Sequence, residues 1–594
     1  MGGSGESEFL LFQGRVRPHR QAMSHTAENT LRLESRAGFV RRHTWLEPLL
    51  LSLVLAVWFG YELGSRALWS PDEGRYAEIP REMVESFDYL TPRLNGVKYF
   101  EKPPLVYWLT AGSIKLFGLN EWALRLWPAL FALLGCLTVY FLGMRLYSAR
   151  AGLFAAIVLA SNPLYDLLGG ALTLDMPLAA LLTAAFCAFL LGVREPPGMR
   201  RRLWLYGFYA ATALAVLAKG LVGIVIPALV VGAWIAILGE WRLPREIHLR
   251  SGILILFAIA APWHILVSQA NPEFARFYFI HEHVERYFTT VHERYKPAWF
   301  FLPVLVAGMY PWSALLPHVL REAFSGLWRE RRQRWETWFL LLWAWLPFGF
   351  FSVSSSKLVP YILPVLPPLA LLLGCWLARA WESPLRPARS MLLLLLALAV
   401  VFAVGLAVLP QLSPDSVSVK SAVAQLGFGF YAIAGALLLA GALPFASHLV
   451  GGRRATLVVL CVSAALLVLT FDLTFSRLDV GRSVKDLALA LDLKPGDEVM
   501  TYEEYYQDLP VYLQRRITVV NWTGELQFGT TVEDSRAWMI DTATFRRRWV
   551  EPRTIYLLTS PKKYAQLLAA PPGPICRLRA RQRVVLVVNR ECRP

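Results

Sequence analysis

The chain has 594 residues, of which 56% are hydrophobic, 13% are aromatic and only 17% are charged. Soluble globular proteins carry about 25% charged residues, so this composition argues against a soluble domain and indicates a protein embedded in lipid. The formal net charge of +17 does not indicate nucleic-acid binding, because the arginines lie in short groups between apolar runs.

Apolar runs of roughly 20 residues recur along the chain, and each can cross a bilayer as an α-helix. We predict an α-helical polytopic membrane protein with about thirteen transmembrane helices. Residues 1–22 are interpreted as an added leader ahead of a native start at Met23, and residues 1–46 as a cytoplasmic tail. The predicted spans are 47–64, 122–143, 151–170, 174–193, 204–219, 222–239, 251–268, 297–316, 337–352, 358–378, 390–410, 425–446 and 455–474.

The arginines give the topology, because lysine and arginine in short loops stay on the cytoplasmic side. With the N-terminus inside, every second connection is rich in arginine, beginning with Arg145 and Arg150. An odd number of spans then places the tail, residues 475–594, outside. The outer connections include the long loops 65–121 and 269–296, and they contain most of the polar residues suited to chemistry.

Three regions outside the spans have recognisable patterns. Residues 76–88 and 104–118 of the first outer loop are predicted as amphipathic helices along the membrane interface. The tail mixes a helical stretch, 484–491, with short strands such as 516–520 and 583–588. We therefore predict a small α/β extracytoplasmic domain at the C-terminus.

The six cysteines do not form a metal or disulfide framework. Two of them, Cys576 and Cys592, lie in the polar tail, where a disulfide requires an extracytoplasmic location and the pairing stays open. The other four lie in apolar runs and are interpreted as packing residues: Cys136, Cys187, Cys375 and Cys461.

Acidic residues stand at two unusual positions. Asp72 and Glu73 follow the first span directly, where a carboxylate can bind a metal, orient a nucleophile or accept a proton. Asp175 is the one acidic residue in a long apolar stretch, and an ionisable group there is costly and indicates function. The structural alternative for Asp72 and for Asp175, which stands two residues before Pro177, is helix capping.

Several cations lie at predicted membrane boundaries. Two prolines after Lys102 stiffen the chain, so a fixed ammonium there suits a lipid phosphate. Arg75 offers a second cation with the fork geometry that suits phosphate. Lys357 and Tyr361, one helical turn apart, can face a shared phosphate site. The alternative for Lys102, and for Lys357 with Tyr361, is anchoring at the membrane interface.

The outer loop 269–296 collects histidine, glutamate and arginine side chains, among them His281 and His283. With Glu101 or Glu73 they would offer mixed imidazole and carboxylate ligands, for which zinc is the most suitable metal. The alternative is a solvated or hydrogen-bonded surface cluster.

Taken together, these motifs resemble a known family. Asp-Glu-x-Arg-Tyr-Ala-Glu follows the first span, Phe-Glu-Lys-Pro-Pro-Leu lies in the first outer loop, and Leu-Asp-Met-Pro begins the fourth span. In this order they resemble the bacterial aminoarabinose transferases that modify lipid A, which are relatives of the protein O-mannosyltransferases in the GT-C superfamily. The resemblance covers residues 47–475, whereas the tail matches only in kind.

The resemblance implies a glycosyltransferase that moves 4-amino-4-deoxy-L-arabinose from undecaprenyl phosphate to lipid A phosphates, on the periplasmic side of the inner membrane. Asp72 and Asp175 map onto the family's two catalytic aspartates. A metal site maps onto Glu101 with His281 or His283, the second histidine being better placed. The positions that map onto substrate binding are Arg75, Tyr99, Lys102, Arg286, Lys357 and Tyr361.

The same resemblance implies a monomer surrounded by membrane lipids, with a divalent metal, no organic cofactor and no nucleic-acid partner. Gly74 departs from the family, where relatives often carry a bulkier residue, and we interpret it as a source of loop flexibility. Two alternatives stay open. A protein O-mannosyltransferase or another transferase using polyprenyl-phosphate sugars shares the acidic loop. A lipid or sugar transporter is disfavoured, because no internal repeat is visible.

Overall fold

The structure of the chain is a computed structural model that describes residues 46–285, 296–383, 389–412, 423–476 and 482–592. Within these ranges, the side chains of residues 283 and 284 are not described. The predicted cytoplasmic tail up to residue 45, Arg286 and the His283 side chain therefore lie outside the described part of the chain.

Each predicted span coincides with a helix or with a bent pair of helices. By length and composition, eight helices of the described residues can cross a membrane, or up to ten if each of two bent pairs forms one span, so the count of thirteen stays a prediction. The membrane-domain helices are α1 (Leu46–Gly60), α2 (Asp72–Ser86), α3 (Leu105–Phe117), α4 (Glu121–Leu146), α5 (Ala149–Ala160), α6 (Pro163–Gly169), α7 (Asp175–Arg194), α8 (Met199–Lys219), α9 (Val222–Leu238), α10 (Leu243–Glu246), α11 (Leu249–Ala270), α12 (Phe301–Gly308), α13 (Leu316–Phe324), α14 (Trp335–Val353), α15 (Leu366–Glu382), α16 (Arg389–Leu412), α17 (Phe428–Val450) and α18 (Arg453–Phe475).

Shorter elements join these helices. The chain bends by 69° between α5 and α6 and by 108° between the segments Ala298–Gly308 and Trp312–Phe324. A π-helix and three 3₁₀ helices occupy Arg276–Glu285, Ala298–Phe300, Trp312–Leu315 and Val359–Val365. The fifth and sixth predicted spans are separate helices, because α8 ends at Lys219 and α9 begins at Val222.

Burial differs strongly among the spans. In the most apolar stretch of each helix, 89% of α7 is buried inside the protein, whereas only 22% of α16 is buried. A helix that is apolar all round and still buried lies inside the bundle, whereas α16 exposes apolar residues such as Val401 in the way expected of a lipid-facing helix. Asp175, the first residue of α7, is therefore held at the end of a central helix.

The arginine-rich connections meet one another at one end of the bundle. Ion pairs link the ends of helices that are distant in sequence, which agrees with the alternation predicted from the charges. These pairs are Arg145–Glu195 (3.4 Å), Arg150–Glu382 (2.7 Å) and Arg379–Glu322 (2.7 Å).

The first outer loop contains α2, a short antiparallel hairpin of β1 (Arg93–Leu94) and β2 (Val97–Lys98), and then α3. Both predicted helices of this loop are present, although α2 begins four residues before the predicted residue 76. Residues Glu73 to Met83 of α2 are buried. The helix is thus covered more completely than a helix resting on the membrane interface would be.

The tail folds into the predicted α/β domain. Its six-stranded sheet has the order β5-β4-β3-β6-β8-β7, and the first four strands are parallel while β8 and β7 form an antiparallel edge. The central strand β6 is buried at every residue, as expected where helices cover both faces of a sheet. The elements are α19 (Lys485–Leu489), β3 (Glu498–Tyr502), α20 (Leu509–Leu513), β4 (Thr518–Val520), a 3₁₀ helix (Gly524–Leu526), α21 (Gln527–Val532), β5 (Met539–Ile540), α22 (Thr542–Trp549), β6 (Ile555–Thr559), α23 (Pro561–Ala569), β7 (Cys576–Ala580) and β8 (Val585–Val588).

A disulfide joins Cys576 to Cys592 and ties the end of the described chain to β7. The four remaining cysteines are unpaired and buried or half-buried, as expected of packing residues.

Candidate active site

Glu73 and its partners form a buried ion-pair cluster beneath α2. The carboxylate, which is only 3% exposed, accepts hydrogen bonds from Arg66 (2.5 Å) and Arg125 (2.8 Å). It also accepts the backbone N–H groups of Trp69 (2.9 Å) and Leu172 (3.0 Å). Burial favours the neutral acid, but the two guanidinium groups outweigh it and lower the pKa of Glu73. Glu73 therefore holds the loop together, and its hydrogen-bond donors in the described part of the chain belong to this cluster.

Asp72 has very different surroundings, although it is adjacent in sequence. Its side chain is 51% exposed and lies 3.3 Å from a terminal nitrogen of Arg75. Asp72 is the first residue of α2, yet no side chain caps this helix. The capping alternative is thus not what the structure contains, and the carboxylate is available at the surface of the loop.

Arg75 links the first outer loop to the C-terminal domain. Its buried guanidinium pairs with Glu525 as well as with Asp72. Burial opposes the charge, but Glu525 and then Tyr99 raise the pKa of Arg75 well above its ordinary value. Tyr99 itself is buried, with only 2% of its surface exposed.

Asp175 forms an ion pair with Lys219, the last residue of α8. The N-cap alternative fails here too, because Asp175 makes no capping hydrogen bond to the start of α7. The Lys219 ammonium also lies 4.6 Å from the centre of the Tyr361 ring, a cation–π contact. Asp175, Lys219 and Tyr361 therefore form one group at the end of three segments.

Tyr76 shows that the two aspartates belong to one region. Its hydroxyl is buried, and burial raises its pKa, as do the charges of Asp72, Glu101 and Asp175, while Arg75 opposes them. Such electrostatic effects require short separations inside a protein. The charges of the two candidate catalytic aspartates thus act on the same tyrosine.

Lys102 lies beside a cavity of about 980 Å³ at the junction of the two outer loops and the C-terminal domain. Its ammonium donates to the main-chain oxygen of Glu101 (2.8 Å) and to Glu282 (3.3 Å), so it does not extend to the surface as an anchor would. The cavity is lined by side chains of mixed charge, among them Arg75, Glu101, His281, Glu282 and Glu525.

Lys357 and Tyr361, which are predicted to face a shared phosphate site, have different partners among the contacts described for them. The Lys357 ammonium donates to the carbonyl oxygens of Ser354 (2.5 Å) and Lys296 (2.9 Å), whereas Tyr361 faces Lys219. Lys357 is 4% exposed, and this desolvation lowers its pKa.

The residues considered for a metal site are only partly described. Glu101 and His281 line the same cavity, and a ring nitrogen of His281 lies 2.8 Å from Glu285. Within the described residues, no three histidine, cysteine or acidic side chains are grouped as metal ligands. The prediction that His283 is a ligand lies outside the described side chains.

Sequence reasoning missed Lys219 and Glu525. Lys219 had a local signal, since it is an isolated cation between two apolar runs. It was predicted only as the last residue of the fifth span. Glu525 had none, because it reaches Arg75 from a domain 450 residues further along the chain.

The interpretation of Gly74 as a source of loop flexibility is wrong. Gly74 lies buried inside α2, and a Cβ atom there would stand 2.5 Å from the Asp508 nitrogen and 2.6 Å from the Gln507 carbonyl carbon. Glycine therefore permits close approach of the C-terminal domain to the helix that begins at Asp72.

Comparison with known proteins adds independent findings. A family profile described as dolichyl-phosphate-mannose-protein mannosyltransferase matches residues 47–278, and one described as aminoarabinose transferase C-terminal domain matches residues 487–589. An undecaprenyl phosphate-alpha-4-amino-4-deoxy-L-arabinose arabinosyl transferase of Erwinia tasmaniensis is 30% identical over 85% of this chain and 91% of its own length. The corresponding transferase 2 of Sodalis glossinidius is 36% identical over 66% of this chain and 71% of its own length.

Solved structures agree with these matches. The crystal structure of ArnT from Cupriavidus metallidurans bound to undecaprenyl phosphate superposes with a TM-score of 0.80 at 33% identity, covering 91% of this chain and 97% of that chain. The same protein in the apo state superposes with a TM-score of 0.76.

Proposed function

Because the chain belongs to the undecaprenyl phosphate-alpha-4-amino-4-deoxy-L-arabinose arabinosyl transferase family, we propose that it moves this amino sugar from undecaprenyl phosphate to phosphate groups of lipid A. It is a multi-pass membrane glycosyltransferase of the GT-C type, so the transporter alternative is set aside. The proposed location is the inner membrane, with the site facing the periplasm.

One observation carries the proposal: carboxylates and cations alternate around one region of the outer loops. Asp72 pairs with Arg75, Asp175 with Lys219, and Glu282 with Lys102. Ammonium and guanidinium groups suit the phosphates of a lipid carrier and of lipid A, while carboxylates suit an amino sugar. A site for a lipid-linked amino sugar and an anionic acceptor requires both kinds of group.

The proposed reaction is a displacement at the anomeric carbon. An oxygen of the lipid A phosphate attacks that carbon and forms a new C–O bond. The bond to the carrier's phosphate oxygen breaks, and undecaprenyl phosphate leaves with the electron pair. The acceptor phosphate is already largely anionic at neutral pH, so it needs little help from a base. The principal task of the protein is to stabilise the charge that develops on the leaving phosphate.

In this proposal the cationic side chains bind the carrier phosphate, and the carboxylates act on the sugar. Lys102 and Lys219 would exchange their carboxylate partners for the carrier phosphate when the donor binds, and Arg75 would add its fixed charge. Asp72 is assigned to orienting the sugar or the attacking oxygen. Asp175 would stabilise positive charge at the anomeric carbon as the old bond lengthens.

Glu525 is proposed as a partner for the amino group of the sugar. It lines the cavity beside Glu101, and its side chain also accepts a hydrogen bond from Gln507 (2.7 Å). Burial raises the pKa of Glu525, while Arg75 opposes this shift. An ammonium group that enters the cavity would favour the ionised form of Glu525, as Arg75 does.

A zinc ion remains a proposal for the outer-loop cavity. Glu101 and His281 would be ligands, with His283 as the other histidine candidate, and the ion would join loops 65–121 and 269–296. No step of the proposed reaction uses it. Metal content of purified parent and Glu101→Ala protein, measured by mass spectrometry, would decide this point: zinc bound to the parent and lost from the variant supports the site, and equal content contradicts it.

The periplasmic location has two supports. Nucleotide sugars are made in the cytoplasm, so a transferase outside needs a donor activated on a lipid, and the family's donor is of this kind. The Cys576–Cys592 disulfide fits an oxidising compartment.

The test is mass spectrometry of lipid A from cells that lack their own aminoarabinose transferase. Cells expressing the parent should gain one aminopentose on a lipid A phosphate. Asp72→Ala, Asp175→Ala and Lys102→Ala should abolish this gain while the proteins accumulate to normal levels. If all three variants modify lipid A like the parent, the site assignment is wrong; if the parent adds no aminopentose, the proposed function is wrong.

A protein O-mannosyltransferase is the second candidate, because the mannosyltransferase profile covers residues 47–278. The aminoarabinose transferase C-terminal profile over residues 487–589 favours the first. The same cells distinguish the two: a hexose on serine or threonine of periplasmic proteins, with unchanged lipid A, would support the second.

A further inference from the structure

The short segment that leads into α2 is held by the C-terminal domain. The Leu68 N–H donates to the Tyr512 hydroxyl (2.8 Å), and the Ser70 N–H donates to the carbonyl oxygen of Arg482 (2.9 Å). The Ser70 hydroxyl donates to Asp508 (2.6 Å). Three hydrogen bonds to the C-terminal domain thus hold the residues immediately before Asp72 in place.

Asp508 stands at the centre of this contact. Its side chain is fully buried and accepts on both oxygens: Oδ1 from Ser70, and Oδ2 from the Ser483 hydroxyl (2.8 Å) and the Val484 N–H (2.8 Å). Of these donors, only Ser70 belongs to the first outer loop. One oxygen of Asp508 therefore serves its own domain, and the other holds the loop that leads into α2.

The backbone of Asp508 also lies directly against α2. At Gly74 the helix packs so closely against the segment Gln507–Asp508 that there is no space for a Cβ atom. Gln507 in turn donates to Glu525, the partner of Arg75. Gln507 and Asp508 thus contact the first outer loop both before Asp72, at Ser70, and after it, at Gly74.

Asp72 has few contacts that could fix it in place by itself. Its side chain is half exposed, and its contact with Arg75 is a single ion pair at 3.3 Å. The position of its carboxylate therefore depends on where the loop and the start of α2 are held. A displacement of about 1 Å at a reacting group can cost about 100-fold in rate.

We propose that Asp508 is a positioning residue for the transfer reaction: through the Ser70 hydroxyl it sets the position of Asp72. This inference rests on the proposed function and adds to it that the C-terminal domain acts on the reaction without contacting the reacting atoms.

The experiment compares two serines that donate to the same carboxylate. Full-length parent, Ser70→Ala and Ser483→Ala are purified in detergent and assayed with undecaprenyl phosphate-linked aminoarabinose and lipid A. Ser70→Ala should lower kcat about tenfold or more, with the KM for the donor within about twofold of the parent. Ser483→Ala, the matched control, should keep kcat within about twofold. Ser70→Thr, which restores the hydroxyl, should recover most of the loss.

Two further readouts separate positioning from general damage. The thermal midpoints of Ser70→Ala and Ser483→Ala should agree, because each variant loses the hydroxyl's hydrogen bond to the Asp508 carboxylate and one hydrogen bond accepted from a backbone N–H. The double variant Ser70→Ala/Asp508→Asn should lose less activity than the product of the two single losses, since both changes act on one contact.

Equal losses of kcat in the two alanine variants, or an unchanged kcat in Ser70→Ala, would overturn the proposal. Asp72→Asn in the same assay distinguishes this failure from a failure of the proposed function. An active parent with an inactive Asp72→Asn but a fully active Ser70→Ala removes only the positioning role. A parent that transfers no sugar removes the proposed function itself.

Discussion

Two regions of the first outer loop, adjacent in sequence, use carboxylates in opposite ways. Below α2, Glu73 is enclosed by Arg66 and Arg125, and its charge is neutralised inside the protein. Asp72, in contrast, is half exposed and pairs with one arginine that is shared with Glu525. The comparison teaches that a buried, fully paired carboxylate builds the loop, whereas the exposed neighbour is available for a substrate.

The largest expected effect is on the buried side. Glu73→Gln leaves two buried guanidinium groups without their counter-charge, and breaking such a pair costs about 3–5 kcal/mol. We expect this variant to lose that much free energy of unfolding, measured by denaturation in detergent. Glu85→Gln removes an exposed carboxylate from the same helix and serves as the control, with a change of about 1 kcal/mol or less. A Glu73→Gln protein as stable as the parent would end the distinction between the two regions.

The reverse result is expected for the exposed Asp72. Asp72→Asn removes one partner of the buried Arg75 guanidinium, but Arg75 keeps its ion pair with Glu525, so the thermal midpoint should match the parent. Transfer activity should fall about 100-fold or more, the usual cost of losing a charged group at a reaction centre. Steady-state assay of the purified protein measures this loss. A variant that keeps its activity but unfolds more easily would show that Asp72, too, is structural.

Asp508 sharpens the comparison through pH, because it is a buried carboxylate that accepts from two hydroxyls and an N–H. Burial raises the pKa of Asp508 to about 6, and the hydrogen bonds from Ser70 and Ser483 only partly offset this. The folded protein therefore binds this proton more tightly than the unfolded chain, so the contribution of Asp508 to stability falls as pH rises from about 4 to about 6. Glu73 behaves in the opposite way: because its pKa is lowered from 4.5, its contribution to stability is complete above about pH 5 and is lost progressively as pH falls below that value.

The expected size follows from the shift of about 2 units between the folded and unfolded pKa values. The stability of the parent relative to Asp508→Asn should be about 2 kcal/mol greater at pH 4 than at pH 7, since the unfolded carboxyl is still partly ionised at pH 4. Denaturation at several pH values measures the difference. Asp486→Asn, an exposed aspartate of the same domain, is the control and should follow the parent throughout. A relative stability of Asp508→Asn that does not change with pH would show that Asp508 is not buried as described.

The smallest expected effect concerns the cation beside Asp175. Lys219→Met should raise the KM for the undecaprenyl phosphate-linked donor about tenfold, because a hydrogen bond to a charged group contributes about 1.5–3 kcal/mol. Lys115→Met removes an exposed cation of α3 and should leave the KM unchanged. If both lysine variants bind the donor equally well, the Asp175–Lys219 pair is a structural ion pair like that of Glu73.

The membrane domain was largely predictable from sequence because its signals are local. The apolar runs predicted spans that each coincide with a helix or a bent pair of helices in the structure. Asp72 and Asp175 were recognisable because they are charged residues beside or within apolar runs. The strands 518–520 and 585–588 lie within the stretches predicted for the tail.

The contacts between the domains were not predictable, because they join residues more than 400 positions apart. The sequence around Ser70 does not predict its hydrogen bond to Asp508, and the sequence around Glu525 does not predict its ion pair with Arg75. Gly74 was misread for the same reason: a glycine required by a distant backbone looks, in sequence, like a flexible one.

The central claim is that the reaction region lies at the outer boundary, and labelling of single cysteines tests it most directly. Phe87, at the end of α2, and Trp241, in an arginine-rich connection, are 76% and 72% exposed and form a matched pair. In intact cells with a permeable outer membrane, a maleimide that cannot cross the inner membrane should label Phe87→Cys, while Trp241→Cys should react only after lysis. Labelling of Trp241→Cys alone in intact cells would place Asp72 on the cytoplasmic side and contradict the account.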